Sequence, residues 1–187
     1  QNYMKTFAAG VKLVSGSTGW LEEHGEEVKK LCTEGGKTLF WSSNFSLGVA
    51  IFSAVNKYLA GIMNNFPAYE VSMVETHHIH KLDAPSGTAL ALADAMNDAL
   101  ENAYDYKYDR SKERVRRDKH EIGIAAVRGG TIVGDHDVIF AGEDEVITLS
   151  HRAYSRAVFG NGAIQAAKFL AGKDAGMYNM SDVINEG

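Results

Sequence analysis

Between Glu75 and Ala89 the chain reads ETHHIHKLDAPSGTA. His77, His78, His80, Lys81 and Asp83 crowd into that short space, and a Pro-Ser-Gly-Thr turn leads directly into a helix expected over 88–101. The imidazoles bring proton transfer near neutral pH. A helix start presents unpaired backbone N–H groups and the positive end of the helix dipole, so it holds anions. Gly87 lets a ligand approach the backbone closely, Thr88 adds a hydroxyl and Lys81 a full positive charge. Together these residues suit recognition of a carboxylate or phosphate beside a proton-transfer group.

Plainer readings compete. Ser86 can be an ordinary N-cap, and Asp83-Ala84-Pro85 an ordinary helix lead-in. A metal-dependent hydrolase would use His77, His78 and His80 as ligands. In an extended strand, however, His78 and His80 share a face while His77 points away, and Lys81 would repel a cation. The anion site is therefore preferred and no metal is assigned.

The elements that must position these groups follow from periodicity and turn residues. Residues 1–9 place Tyr3, Met4, Phe7 and Ala8 at helical spacing, with Gly10 as a stop. Strands are expected at 11–15 and 38–41, and helices at 21–32 and 47–64, the last ended by Pro67. This alternation is the grammar of a doubly wound parallel sheet, yet two strands are too few for one. Further strands must come from later in the chain, or the front of the domain is absent. After Pro67 the pattern changes. Strands are expected at 69–75, 122–127, 131–133, 137–140 and 146–150, with no helix among the last four, which indicates an antiparallel or mixed sheet in an α+β domain. A helix is expected at 161–170, then an irregular tail.

The whole is 187 residues with a net charge of -5, 45% hydrophobic and 23% charged, an ordinary globular composition. The charge argues against a nucleic-acid partner. No apolar run reaches membrane-spanning length, and one cysteine, Cys32, suits a reducing cytoplasm. The stretch 107–120 carries seven Lys and Arg against three Asp and Glu and reads as a solvated, mobile loop. His136 and His151 read as structural or interface groups, Cys32 as packing, Trp20 and Trp41 as core or pocket wall. Arg156 is either a site-orienting group or a surface charge.

The histidine-rich string resembles the signature of the dihydrodipicolinate reductases. Other stretches agree in order: Val14-Ser15-Gly16-Ser17-Thr18-Gly19 is similar to the family's cofactor loop. Residues 42–49 (SSNFSLGV), 128–136 (RGGTIVGDH) and 150–156 (SHRAYSR) resemble three further family stretches, and 180–183 (MSDV) the usual tail. The resemblance implies NADH- or NADPH-dependent reduction of a cyclic dicarboxylate in lysine and diaminopimelate biosynthesis, in the cytoplasm. It implies His77 and Lys81 as catalytic groups, and His78, Gly87 and Thr88 as ligands of the substrate carboxylates. Gly16, Ser17, Thr18, Ser42, Ser43, Asn44 and Phe45 would line the cofactor pocket. It implies a Rossmann-like dinucleotide-binding domain over 1–44 and 157–187, and an α+β substrate domain over 45–156 that assembles into a homotetramer through its sheet.

The family's opening G-x-G-x-x-G turn has no counterpart in this sequence. Gln1, inside a helix, accordingly reads as a cut edge, and the dinucleotide-binding domain as truncated. The expectation is a weakly active or inactive reductase chain. The alternatives are a non-catalytic assembly core and, last, the metal-dependent hydrolase.

Overall fold

The structure is a computed structural model and describes residues 2–186. The helical start read at Gln1 lies outside the described residues. In chain order the elements are α1 (Asn2–Ala8), β1 (Leu13–Ser15), α2 (Leu21–Thr33), β2 (Thr38–Trp41), α3 (Leu47–Met63), β3 (Glu70–His77) and α4 (Gly87–Asn97). Then follow β4 (Asp105–Lys107), β5 (Glu121–Arg128), β6 (Gly134–Ala141), β7 (Val146–Ala153), α5 (Ala157–Ala171), β8 (Gly176–Tyr178) and α6 (Met180–Asn185). Two compact units result, Gln1–Ala50 with Ala157–Gly187, and Ile51–Arg156.

In the first unit β1, β2 and β8 form a parallel sheet in the order β1-β2-β8. Leu39 and Phe40, consecutive on β2 and both 0% exposed, enter different apolar clusters. Leu39 joins Phe7 of α1 with Val28 and Cys32 of α2; Phe40 joins Ala166 and Leu170 of α5 with Met180 of α6. Helices thus cover both faces, which is why Thr38, Leu39 and Phe40 of β2 are buried in succession instead of alternating.

In the second unit the sheet order is β4-β5-β3-β6-β7; β4, β5 and β3 run parallel, while β6 and β7 are antiparallel to their neighbours. One face is covered: Phe52, Ala60 and Met63 of α3 and Ala89, Leu92 and Met96 of α4 pack on Val71, Met73, Ile122, Ile124, Val138 and Phe140. The mixed α/β and α+β architecture agrees with the sequence-based expectation.

Several local expectations are corrected. The tail is not irregular: β8 supplies a third strand beside β2, and Asn179 with Asp182 forms a capping box that starts α6. Residues 131–133 are not a strand, because Gly130, at φ 50, turns the chain before β6 begins at Gly134. The helix expected to reach 101 stops at Asn97, whose side chain exchanges two hydrogen bonds with the Tyr104 backbone. The stretch 107–120 is largely exposed, as expected, and carries contacts at Lys107, Arg110 and Arg117. Lys107 lies on β4, Arg110 pairs with Glu121, and Arg117 donates to Ser72 Oγ (3.0 Å) and the Val71 carbonyl (2.8 Å).

Candidate active site

The covered face of β3 reads Val71, Met73, Glu75, His77, all buried. The first two belong to the apolar core; the same two-residue period then carries Glu75 and His77 past its end. β6 makes the same change in the opposite sense, from Phe140 and Val138 to His136 and Gly134. Register sets Glu75 opposite His136, and His77 opposite Arg128 of β5. Three strands therefore deliver their polar side chains to one end of the sheet. The expected strand stops at 75, with His77 in the following turn; the strand in fact runs through it.

Glu75 is 0% exposed. Its Oε1 accepts from Arg128 Nη2 at 2.9 Å and the Ser86 amide at 3.2 Å, and its Oε2 from Arg128 Nη1 at 3.1 Å and from His77 Nδ1. A buried carboxylate survives only with such partners. Burial pushes its pKa up, but Arg128 and then His77 outweigh this and hold the carboxyl below the usual range. His77 moves the other way. Burial depresses it, Glu75 partly restores it, and Lys81 and Arg128 depress it further, so the imidazole is neutral near pH 7. Burial, then the adjacent His77, pushes His136 down to about 4. The two rings meet edge-on with centroids 5.2 Å apart.

The turn after β3 carries the charge. Lys81 Nζ lies 2.8 Å from Asp83 Oδ1. Lys81 above all, with a contribution from the Gly87 amide, holds the Asp83 carboxyl below its usual range. Arg128 Nη2 donates to the Asp83 carbonyl at 2.5 Å. Ser86 caps α4: its Oγ accepts from Ala89 N–H at 3.1 Å and meets His136 Nε2 at 3.2 Å. Gly87, exposed, is the first residue of α4 and Thr88 the second. His78 is half-buried just beyond β3, with its ring 6.2 Å from that of His80.

Among the described residues one trio of possible metal-ligating side chains converges: Glu75, His77 and His136, with ligand atoms within 4.8 Å of one another. It differs from the His77, His78 and His80 set considered from sequence. Both Glu75 oxygens are already bound by the Arg128 guanidinium, a cation where a metal would need free anionic lone pairs.

The residues expected to line a cofactor pocket lie in the first unit. Gly16, Ser17 and Thr18 follow β1, and Ser42, Ser43, Asn44 and Phe45 follow β2, at the carboxyl ends of parallel strands, where doubly wound sheets hold ligands. The two loops touch: a Cβ on Gly16 would stand 3.1 Å from the Phe45 ring and 3.6 Å from the Ser42 carbonyl. The Trp20 and Trp41 indoles both donate to the Ser17 carbonyl, at 2.7 and 2.8 Å, which makes them braces of the loop. Cys32 is packed in the core and Arg156 is exposed.

The sequence expectations assign no role to Glu75, Arg128 or Gly134 and give His136 as a structural or interface group; Ser86 is the N-cap they offer, and it also meets His136. Extending the Val71–Met73 alternation by two steps would have put Glu75 and His77 on one buried face; nothing local marks Arg128 or Gly134 as their partners.

A family model described as dihydrodipicolinate reductase, C-terminus, matches residues 48–184. The 4-hydroxy-tetrahydrodipicolinate reductase of Caldanaerobacter subterraneus is 47% identical over 177 residues, covering 95% of this chain and 68% of the relative. That of Methanocaldococcus jannaschii is 44% identical over 175 residues, covering 94% and 63%. A solved structure, dipicolinate-bound dihydrodipicolinate reductase from Paenisporosarcina sp. TG-14, superposes with a TM-score of 0.73 at 24% identity, over 97% of this chain and 68% of that one, a likeness of fold. The chain thus spans about two thirds of the length of these relatives.

Proposed function

Since the chain belongs to the dihydrodipicolinate reductase family, a family of oxidoreductases, we propose that it serves the NADH- or NADPH-dependent reduction of 4-hydroxy-tetrahydrodipicolinate to tetrahydrodipicolinate. That reaction belongs to lysine and diaminopimelate biosynthesis. In this reading residues 45–156 bind substrate, and 1–44 with 157–187 belong to the dinucleotide-binding domain. The observation that carries the reading is the buried Glu75–His77 pair beside Lys81 and the start of α4.

The nicotinamide cofactor, when bound, supplies the hydride. Gly16, Ser17, Thr18, Ser42, Ser43, Asn44 and Phe45 would hold it; the side-chain-free surface at Gly16 and the strand-end position of both loops support that fit. Lys81, His78 and the Gly87–Thr88 backbone and hydroxyl bind the substrate carboxylates, combining a full charge with a helix start. Positioning of this kind supplies much of the rate enhancement. His77 then supplies a proton, or stabilises charge, beside the carbon that receives hydride, a contribution of about 10²–10⁴-fold. The buried, neutral state of His77 near pH 7 supports it as a group that can take and return a proton.

Calorimetry with pyridine-2,6-dicarboxylate tests this reading. One site per chain is expected, weakened about tenfold or more in Lys81→Ala by loss of a charge-assisted contact. No binding by the folded wild-type chain would overturn it. NADH binding, followed by nicotinamide fluorescence, tests the cofactor half separately.

A second role as an assembly core is favoured by the open face of the five-stranded sheet. Val127 and Val146 are 46% and 59% exposed there, with Val74 and Ile139 half-buried beside them. We place a homotetramer contact on this face; light scattering would report four chains or one. The buried thiol of Cys32 suits the cytoplasm. Among the described residues no helix is long and apolar enough to cross a membrane.

A further inference from the structure

We propose that Glu75, gripped by Arg128, is the positioning residue of this site: it fixes His77 as the Nδ1–H tautomer and reserves Nε2, which faces Gly134, for proton exchange with the substrate. The inference rests on the reading of His77 as the proton-transfer group.

Both Glu75 oxygens are committed. The Arg128 fork takes one lone pair of each, the Ser86 amide takes a second on Oε1, and His77 Nδ1 takes a second on Oε2. An ionised carboxylate only accepts hydrogen bonds. The proton in the His77–Glu75 contact therefore resides on Nδ1, and a neutral imidazole so bound has its free lone pair at Nε2. Glu75 also cannot swing away, because Arg128 is itself anchored on the Val127 and Asp83 carbonyls, at 2.7 and 2.5 Å.

Gly134 completes the arrangement. A Cβ there would stand 2.9 Å from His77 Nε2 and 3.3 Å from Cδ2. Among the described residues positive φ is confined to Gly10, Gly36 and Gly130. Gly134 is therefore needed for the space it leaves, not for its backbone angle. Any side chain at this position would press on the ring atom that must exchange protons.

The charged and titratable groups around His77 are Glu75 on its own strand, Arg128 on β5, His136 on β6 and Lys81 in the following turn. Arg128 offsets most of the Glu75 charge, so the carboxylate orients the ring without making it strongly basic. A bound dicarboxylate adds negative charge and raises the proton affinity of the ring. A solvent proton is then taken up at Nε2 and passed to the substrate, while the Nδ1–H bond to Glu75 stays intact throughout.

Long-range ¹H–¹⁵N spectra of the histidine-labelled chain test this, with and without pyridine-2,6-dicarboxylate. The wild-type chain is expected to show His77 as the Nδ1–H tautomer, with a pKa that rises by about one pH unit when the ligand binds. In Glu75→Gln the side-chain oxygen stays on Arg128 and the amide NH₂ faces Nδ1, so the tautomer is expected to switch to Nε2–H. Gly134→Ala is expected to keep Nδ1–H and lose the ligand-induced rise. An Nε2–H tautomer in the wild-type chain overturns the proposal even if Glu75→Gln fails to fold. So does an unchanged tautomer in folded Glu75→Gln. Failure of the ligand to bind overturns the substrate reading instead and leaves the tautomer result standing.

Discussion

Lys81 Nζ lies 2.8 Å from the Asp83 carboxylate, which also draws on the amide of Gly87 at the start of α4. Asp83 thereby engages the two positive features that the proposed dicarboxylate needs. Its side chain is 56% exposed, so the pair is a weak one, worth up to about 1 kcal/mol. Asp83→Asn is expected to tighten pyridine-2,6-dicarboxylate binding by about two- to fivefold, read by calorimetry. Weaker binding would mean that Asp83 holds Lys81 in place for the ligand instead of competing with it.

Gly162 on α5 approaches the loop after β2 more closely than any side chain could. A Cβ there would fall 1.7 Å from the Phe45 carbonyl oxygen, a backbone atom that cannot rotate aside. Gly162→Ala is expected to lower stability by about 3 kcal/mol, the upper range for overpacking, despite the better helix propensity of alanine. Urea unfolding measures it; a neutral or stabilising result would show that the loop yields freely.

Ser86 serves two partners at once, the Ala89 amide and the His136 imidazole. Ser86→Ala loses a helix cap and leaves a buried ring nitrogen unpaired, so a loss of about 2–3 kcal/mol is expected. Thermal unfolding should show Ser86→Thr recovering most of it.

Acid should weaken the fold well before the carboxylates titrate. His136, 4% exposed, has its pKa pushed from 6.5 down to about 4. The unfolded chain therefore binds a proton that the folded chain refuses between those values. Stability from this group is complete above pH 6.5 and falls as pH drops towards 4, by about 3 kcal/mol in total. His77 and His151, also depressed chiefly by burial, act with the same sign. Glu75, held below its usual 4.5, adds a loss only at lower pH. Urea unfolding at a series of pH values should show this slope, and His136→Gln should flatten it; an unchanged slope in that variant would place the effect elsewhere.

Periodicity, caps and turn residues set the local grammar. β2 occupies the expected residues 38–41, and α3 ends at Met63, one residue short of the expected 64. The segment from Glu75 to Ala89 stood out because its chemistry is concentrated in neighbouring residues, and periodicity and caps are local properties. The partners come from strand pairing across the fold. Glu75 meets an arginine 53 positions away and Ser86 a histidine 50 positions away, each on another strand, and β8 leaves the tail to pair with β2. Register determines such pairings, and register depends on how whole strands bury their faces together. That is why a carboxylate that looked like the last residue of a strand proves to be the group that holds the histidine.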